Sequence, residues 1–476
     1  MFSGFKNQCF RYLLGAVLLF ASGQVSAQSL QESIKAAQNL YKSSLRSSVA
    51  VKSNPYAEFP KIRPEVFSPG KRPSQLLTME YEVTRTGGLF ANPGRYAVMK
   101  FEEGEDLDHQ SVITGFNGYR ISIRFVPECA VRIENVSEEH LESVWRHLSG
   151  SPLGPTLNDI VKAGRYLNLS DWSMVNFVEA FSDSVFEGPE MRKESVMLQV
   201  FLLHSLGFRV CLAHDEAGNL YRLISSDAAL NGTREFYEDG VPYSLFDGSD
   251  DLKLSLCFFD GHGKYPVSMA INPDEIFYSE YGDTRRFVSD NYPELSVSVP
   301  VNTVLKNFYG SFPIYHTNDN PLTEFYYRAS AKMPREIVEA VYPTLAAALN
   351  GKSHVDALNM LLDFVQTAFR YEIDNDRWKG ERFFFPGEIW YHDVCDCDDK
   401  AILFSRLVRD IMKLDVALVF WPGHLSCAVE TDEPLAGYMY DVSGRKYISC
   451  DPTMPGARVG DVMETLKDKK ASLIIL

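Results

Sequence analysis

The stretch Cys395-Asp396-Cys397-Asp398-Asp399-Lys400-Ala401 decides how the last third of this 476-residue chain is interpreted. Apolar residues recur from its end at three- and four-residue spacing, with charged residues between them: Ala401, Phe404, Leu407, Val408, Ile411 and Met412. This periodicity predicts a helix with one apolar face. Asp398 and Asp399 favour a helix start here, because their charge complements the positive end of the helix dipole. The sequence therefore places Cys397 at the N-terminus of a helix.

His424 lies at the start of a predicted strand. The apolar run Val416 to Phe420 predicts the strand before it, and Trp421-Pro422-Gly423 predicts the turn between them. Leu425 to Val429 then continues as the second strand of the hairpin. We expect this hairpin to bring His424 beside the helix that begins at Cys397.

Asp451 follows a third predicted strand, Lys446 to Cys450, and Pro452 ends the strand pairing there. A carboxylate at a strand end can accept the second N–H of an imidazole and so fix its tautomer and orientation. Cysteine, histidine and aspartate in these positions are the groups that nucleophilic acyl transfer requires. A helix N-terminus and a nearby imidazolium lower a cysteine pKa, whereas neighbouring aspartates raise it. We therefore expect His424 to supply much of the activation.

The ordered set Cys397, His424 and Asp451-Pro452-Thr453 resembles the transglutaminase-like superfamily of papain-type cysteine enzymes. The pattern of that family is a Cys-x-Asp-x-Ala/Ser helix start, a later histidine and an Asp-Pro-Thr. Upstream, Trp378-Lys379-Gly380 and Phe385-Pro386-Gly387-Glu388 are weakly similar to the segment that precedes the nucleophile in bacterial transglutaminase-like cysteine peptidases. The resemblance covers residues 335 to 465.

The resemblance implies an α+β fold in which a nucleophile helix packs on an antiparallel sheet. It also implies a cysteine peptidase or amidase that works through a thioester and needs neither cofactor nor metal. Cys397 would be the nucleophile, His424 the proton relay and Asp451 the group that orients His424. The expected substrate is a protein or peptide, including cell-wall peptides. Acyl transfer to an amine is the other outcome known in the family.

Several alternatives remain open. Cys395 could be the nucleophile instead of Cys397, although the spacing to Asp399 and Ala401 follows Cys397. A metal site is a competing interpretation, with four possible ligands: His392, Asp393, Cys395 and Cys397. Its spacing lacks the second ligand pair that zinc sites commonly show. From a different class, the chain could be a non-catalytic binding or assembly module. Three aromatic residues that carry an N–H or O–H group could donate a hydrogen bond to an oxyanion or line a cleft: Trp378, Trp390 and Tyr391.

The N-terminus indicates the compartment. Lys6 and Arg11 precede the apolar run Tyr12 to Ala21, and Val25-Ser26-Ala27 supplies small residues for cleavage, which together predict a secretory signal peptide. We therefore expect a secreted or periplasmic protein with no membrane span after signal removal. A formal net charge of −16 argues against nucleic acid or an anionic membrane as partner. Of the eight cysteines, Cys9 lies in the signal, so an odd number remains and at least one thiol stays unpaired.

An internal repeat is predicted. Asn176 to Phe181 is similar to Asp363 to Phe369, and Leu206 to Val210 is similar to Met412 to Val416. In this alignment Met191 and Gly218 stand at the positions of the nucleophile and the histidine, so the first copy is predicted to be degenerate, with only Asp247 retained. The predicted order is a signal peptide (1–27), an N-terminal helix and Pro-rich linker (28–75), a β-rich block (76–149), the degenerate copy (150–250), a second β-rich block (251–333) and the catalytic domain (334–476).

Overall fold

The computed structural model describes residues 61, 63, 72–84, 94–103, 108–230, 233–246, 252–272, 274–316, 320, 322–378 and 381–476. The chain divides into a unit of residues 1–53 and a unit of residues 54–476. The predicted signal peptide, the predicted N-terminal helix and most of the Pro-rich linker lie outside the described residues.

The described part of the chain is a mixed α+β structure. Its helices are α1 (Glu138–Gly150), α2 (Gly154–Tyr166), α3 (Asp171–Val185), α4 (Arg192–Ser205), α5 (Thr303–Ser311), α6 (Thr323–Ser330), α7 (Arg335–Leu349), α8 (His354–Ala368), α9 (Asp374–Arg377) and α10 (Cys397–Leu407). Its first strands are β1 (Leu76–Thr78), β2 (Tyr81–Val83), β3 (Gln110–Phe116), β4 (Tyr119–Phe125), β5 (Val210–His214), β6 (Leu220–Ile224), β7 (Ala229–Leu230), β8 (Arg234–Glu238) and β9 (Val241–Leu245). The remaining strands are β10 (Ser255–Cys257), β11 (Tyr281–Val288), β12 (Ser296–Asn302), β13 (Tyr315–His316), β14 (Val416–Trp421), β15 (His424–Glu430), β16 (Gly437–Val442), β17 (Arg445–Cys450) and β18 (Ala471–Ile475). Among the described residues no helix combines the length and the apolar character that crossing a membrane requires.

The C-terminal sheet has seven strands in the order β1-β16-β17-β15-β14-β18-β2. Helix α10 packs against β14 and β15, so Val416 and Leu418 join the main hydrophobic core on that face. The opposite face carries Ala417 and Val419 and is covered by the segment that follows β17, including Met454. Burial on both faces explains why β14 is a continuous apolar run instead of an alternating one.

The two edges of this sheet correct the predicted domain order. Residues 77 to 83, where apolar and polar residues alternate as in a strand, fall in the β-rich block predicted at 76–149. Instead β1 pairs in parallel with β16, and β2 pairs in parallel with β18. The chain therefore contributes two short strands from near residue 80 to the C-terminal sheet, whereas the hairpin of β3 and β4 packs on α2 and α3. Alternation of apolar and polar residues predicts a strand but not its pairing partner, which is why sequence periodicity did not assign these strands to this sheet.

The helix that begins at Cys397 also differs from the prediction. It was expected to have one apolar face and one charged face, but every residue of α10 is buried. Lys400 reaches the backbone oxygen of Gln366 at 2.9 Å, and Arg406 reaches that of Ala331 at 3.2 Å. The two basic side chains of this helix therefore bind backbone oxygens of neighbouring segments, and α10 is a central helix surrounded by the protein.

The first half contains a five-stranded sheet in the order β10-β5-β6-β9-β8. Five strands of the C-terminal sheet run in the order β18-β14-β15-β17-β16, which is the same order when corresponding strands are matched along the chain. A helix precedes the first central strand in each half: α4 precedes β5 and packs on it, and α10 precedes β14 and packs on it. The two halves thus share a strand order and the placement of one helix, and the repeat itself stays a prediction.

In the first half, the positions that correspond to the site residues hold other side chains. Arg192 is the first residue of α4, where Cys397 is the first residue of α10, and Met191 precedes it. Leu220 begins β6, where His424 begins β15. Gly218 lies in the turn just before β6, and Asp247 lies outside the described residues.

Candidate active site

Cys397 is the first residue of α10 and its side chain is buried. The start of the helix is fixed by Asp399, whose Oδ2 accepts the N–H of Asp396 at 3.1 Å. The other oxygen of Asp399 accepts the N–H of Phe384 at 2.8 Å, so the same carboxylate also holds the preceding loop against the helix. The aspartate three residues after an N-cap residue is a typical capping arrangement. It places the Cys397 sulfur at a defined point at the helix N-terminus.

The hairpin of β14 and β15 delivers His424. Trp421 and His424 face each other across the end of the hairpin, with Pro422 and Gly423 as the two loop residues. Gly423 has a φ of 85°, the left-handed conformation that a type II turn requires after a proline. The indole of Trp421 stacks on the imidazole with 6.2 Å between ring centroids and 17° between planes. Both rings are buried, so the histidine is shielded from bulk water.

Asp451 orients His424. The distance from Nε2 of His424 to Oδ2 of Asp451 is 2.8 Å, and both side chains are buried. Because a carboxylate can only accept, the imidazole carries its proton on Nε2 in this arrangement. The other oxygen of Asp451 accepts the N–H of Thr453 at 2.9 Å, which fixes the carboxylate. Nδ1 of His424 is buried and has no hydrogen-bond partner among the described residues, so it is the ring nitrogen left to act as a base.

The structure brings the three predicted residues together. Cys397 and His424 line the same small pocket, whose volume is about 20 Å³. A backbone hydrogen bond from Leu425, the residue after His424, reaches the Cys397 thiol. The ordered triplet found in the sequence is thus a cluster in space, with the thiol on the helix, the imidazole on one strand and the carboxylate at the end of another.

The Cys397 thiol is not activated in this state. Burial raises its pKa well above the ordinary value, and the carboxylates of Asp396 and Asp398 raise it further. The ammonium of Lys61 and the hydrogen bond from Leu425 act in the opposite direction but do not compensate. Burial and the two aspartates, whose effect the sequence suggested, therefore outweigh the groups that lower the pKa of Cys397. The resting group is a neutral thiol. A reaction here requires a base to remove its proton.

A cluster of buried carboxyl groups surrounds the start of α10. Burial and mutual repulsion with Asp396 raise the pKa values of Asp374, Asp398 and Asp399. Two groups of side chains bring possible metal ligands within 4.8 Å of one another: Asp396, Cys397 and Asp398, and Asp374, Asp396 and Asp399. Lys61 already pairs with two of these carboxylates, those of Asp396 and Asp398.

The metal site considered from the sequence is not assembled. His392 stacks on Phe384 with 4.4 Å between ring centroids and lies 3.5 Å from Glu388. Asp393 is exposed and pairs with Arg377. Neither residue belongs to a group of close metal ligands among the described residues.

Cys395 lies in a different environment from Cys397. Its sulfur contacts the backbone oxygen of Arg370 at 3.7 Å, and burial raises its pKa well above the ordinary value. It lines a larger cleft of about 680 Å³, together with Arg285, Lys306 and Tyr391. Neither His424 nor Cys397 lines that cleft. The geometry therefore favours Cys397 as the partner of the histidine.

The aromatic residues considered for an oxyanion site have other surroundings. Trp390 packs between Phe287 and Phe369, with centroid distances of 5.0 and 5.1 Å. Trp378 packs edge-on against His392, and Tyr391 donates to Glu336. None of these three lines the small pocket at Cys397. Most of this aromatic run forms core.

Three residues that the sequence did not single out support the site. Gln366 on α8 donates to the backbone oxygens of Asp451 and Ala457 at 2.9 and 3.1 Å. Lys400 is buried within the central helix, and burial lowers its pKa although the carboxylate of Asp451 raises it. Lys61 reaches the helix start from far along the chain. Buried polar groups of this kind resemble surface residues in a sequence, so only the structure identifies them.

Comparisons with protein-family models and with curated proteins find no match for this chain.

Proposed function

We propose that residues 334–476 form a transglutaminase-like catalytic domain, a cysteine peptidase or amidase that acts on a protein or peptide outside the cytoplasm. The observation that carries the proposal is the geometry of His424. Its Nε2 is bound to Asp451, while its Nδ1 is unpartnered and buried at a pocket that Cys397 also lines. An oriented base beside a thiol at a helix N-terminus is the arrangement that activates a cysteine nucleophile.

The reaction follows from these positions. His424 Nδ1 takes the thiol proton as the Cys397 sulfur attacks an amide carbonyl, and Asp451 stabilises the imidazolium that forms. The N–H of Asp399 is bound by the Asp396 side chain. The N–H groups of Cys397 and Asp398 have no acceptor within the helix, so they are available to the developing oxyanion. The imidazolium then gives its proton to the leaving amine as the C–N bond breaks and a thioester remains. Water, deprotonated by the same imidazole, hydrolyses the thioester and restores the thiol. An amine in place of water would give acyl transfer.

The first half of the chain has a different role in this proposal. Residues 150–250 form a degenerate copy, because Arg192 and Leu220 occupy the positions of Cys397 and His424. The copy has the same strand order and a helix packed on its sheet. It lacks a thiol and an imidazole at the positions where the reaction would take place. It would then serve as a scaffold for the active copy or as a surface for the substrate chain.

One observation favours a second candidate, a non-catalytic binding module. The Cys397 side chain is only 1% exposed, and its pocket holds no more than a water-sized group. In that case the triad would be retained as buried structure and would react with nothing. The two candidates differ in whether His424 controls the reactivity of the Cys397 sulfur.

The experiment measures the rate at which iodoacetamide labels each cysteine of the folded, reduced protein from pH 5 to 10. Peptide mass identifies which cysteine has been labelled. Under the proposal, Cys397 labels at pH 7, and His424→Ala slows that labelling by a factor on the order of 10². Cys395 is the internal control, because it is equally buried, has a raised pKa and lies two residues away. Equal rates at Cys395 and Cys397, with no effect of His424→Ala, would favour the binding module.

A further inference from the structure

Lys61 is a buried cation at the start of the nucleophile helix. Its Nζ lies 2.5 Å from Oδ2 of Asp396, 2.6 Å from Oδ2 of Asp398 and 2.6 Å from Oε1 of Glu381. Its side chain is 8% exposed, and the three carboxylates are 4% exposed or less. The Phe383 ring lies below the ammonium, with Nζ 5.7 Å from the ring centroid. An ammonium has three N–H donors and no acceptor. Asp396 and Asp398 each accept one N–H, whereas Oε1 of Glu381 lies at ion-pair distance without a hydrogen bond.

Three of these residues belong to the pocket of the thiol. Lys61, Glu381 and Asp398 line it together with Cys397 and His424. A side chain that arrives from 335 residues away thus fills the space through which a substrate would reach the sulfur. The remaining volume of about 20 Å³ admits a water molecule but no peptide.

Burial makes a charged carboxylate without a partner costly. Without Lys61, the carboxyl groups of Glu381, Asp396 and Asp398 would therefore either take up protons or bind another cation. Withdrawal of Lys61 would leave Glu381, Asp396 and Asp398 next to a pocket that is open to a substrate. The pocket would therefore favour a substrate group with a positive charge. The group observed there, the Lys61 side chain, is a primary alkylammonium on a flexible chain.

We propose that Glu381, Asp396 and Asp398 form a subsite for an alkylammonium group of the substrate, such as a lysine-type side chain, and that Lys61 occupies this subsite in the resting protein and covers Cys397. The proposal rests on the proposed function, because it assigns the substrate class and the resting state of that same site.

The subsite recognises the ammonium and does not use it as an acyl acceptor. Burial lowers the pKa of Lys61, but Asp396 and Asp398 outweigh that effect and raise it well above its ordinary value. An amine held there stays protonated and has no lone pair with which to attack a thioester. The bound group therefore fixes the position of a substrate beside the sulfur, and water or another amine resolves the thioester.

Lys61 makes more buried ion pairs than Arg63, the other described residue close to it in the chain. Arg63 lies two residues further on and pairs with Asp376 at 2.6 Å, but both side chains are about half exposed. Exposed ion pairs contribute little to stability, because water and salt screen them. The coverage of the thiol therefore depends on the Lys61 ammonium, and a substitution there tests it directly.

The decisive variant is Lys61→Met, which keeps the length of the side chain and removes its charge. Iodoacetamide labelling of Cys397 is measured at pH 7, without and with millimolar cadaverine as the alkylammonium probe. We expect labelling to be about tenfold faster than in the wild type and to return toward the wild-type rate as cadaverine is added. Lys470→Met is the matched control, because Lys470 pairs with Glu82 at the surface and its loss changes the net charge equally.

A second variant keeps the test decisive if Lys61→Met does not fold. Glu381→Gln removes one of the three carboxylates and leaves Lys61 paired with Asp396 and Asp398. We expect faster labelling of Cys397 than in the wild type, with a smaller increase than in Lys61→Met. Thermal unfolding curves identify which variants are folded.

Two results would overturn the proposal. In folded Lys61→Met or Glu381→Gln, labelling no faster than in the wild type would show that Lys61 does not cover the thiol. Faster labelling that cadaverine leaves unchanged would show that the carboxylates do not select an alkylammonium, and protection by calcium ions alone would make them a divalent-cation site. The proposed function fails separately, if His424→Ala in the Lys61→Met background leaves the labelling rate unchanged while cadaverine still protects.

Discussion

Gln366 holds the loop that carries Asp451: its Nε2 donates to the backbone oxygen of Asp451 at 2.9 Å. The same amide nitrogen donates to the oxygen of Ala457, and Oε1 accepts the N–H of Gly456 at 3.1 Å. One buried side chain on α8 thus satisfies three backbone groups of the loop that follows β17. The position of the Asp451 carboxylate, and through it the orientation of His424, depends on a residue that touches neither side chain.

Gln366→Ala is therefore expected to lower both stability and reactivity. It leaves buried backbone groups unsatisfied, each at a cost of about 1–3 kcal/mol. The free energy of unfolding should fall, and the labelling of Cys397 in the variant that remains folded should lose part of its dependence on His424. Urea unfolding and iodoacetamide labelling measure the two effects.

The matched control is Gln199→Ala. Gln199 is buried in α4 of the first half, where its amide donates to Ser195 at 2.9 Å. Its loss should destabilise the protein without changing the reactivity of Cys397 in the folded state. An equal fall in reactivity for the two variants would mean that Gln366 acts through stability alone.

Asp451→Asn tests the orientation of the imidazole. The amide keeps the shape of the side chain but can present its NH₂ to His424, which would favour a proton on Nδ1 and remove the base from the pocket. Labelling of Cys397 at pH 7 should fall by a factor on the order of 10². The effect is clearest in the Lys61→Met background, where the thiol is uncovered.

Asp461→Asn is the comparison for that variant. Asp461 lies in the same loop and pairs with Arg72 at 3.4 Å. Its conversion to an amide should leave the labelling rate of Cys397 unchanged. A comparable loss in both variants would assign the effect to the charge of the loop and not to the bond with His424.

Two cysteines in the sheet of the first half, Cys211 and Cys257, are expected to be inert. Burial raises the pKa of Cys211 well above its ordinary value and raises that of Cys257 to about 11. Neither thiol begins a helix: Cys211 lies within β5, and Cys257 ends β10. Labelling of these two thiols should follow global unfolding in urea, whereas labelling of Cys397 should proceed in the folded state. Rapid labelling of Cys211 below the unfolding transition would contradict the assignment of a degenerate copy.

Local patterns in the sequence located much of the C-terminal domain. The predicted strands Val416–Phe420 and Lys446–Cys450 agree with β14 and β17 to within one residue. The helix start at Cys397 was also correct. These elements have strong periodicity, a turn at Pro422-Gly423 and a terminating proline, all of which are properties of neighbouring residues.

Contacts between distant parts of the chain could not be predicted in this way. Lys61 lies in a Pro-rich stretch with no periodic pattern, and its partners are more than 300 residues away. Lys400 was interpreted as part of a charged helix face, because a buried lysine and a solvated one have the same spacing. The hydrogen bond to Gln366 that makes its burial tolerable is formed only when α8 and α10 pack together.

Glu275 is expected to make stability depend on pH. Burial raises the pKa of its carboxyl to about 7, although hydrogen bonds from Ser173, Asn117 and Ser170 act in the opposite direction. The folded state thus binds this proton more tightly than the unfolded chain, where the pKa is about 4.3. The stabilisation from proton binding is complete below the unfolded pKa and is lost as the pH rises through about 7. The free energy of unfolding should therefore fall between these two values by an amount on the order of 2–3 kcal/mol.

Glu275→Gln isolates this effect, because it keeps a neutral side chain of the same shape at every pH. Urea unfolding at pH 5 and at pH 8 should show a smaller difference in the variant than in the wild type, with the gain in stability at pH 8. Glu235→Gln, at a half-buried strand position whose carboxylate accepts from Tyr237, is the control. If Glu275→Gln and the wild type lose the same stability between the two pH values, the buried carboxyl stays ionised throughout, and the hydrogen bonds from Ser170, Ser173 and Asn117 outweigh its burial.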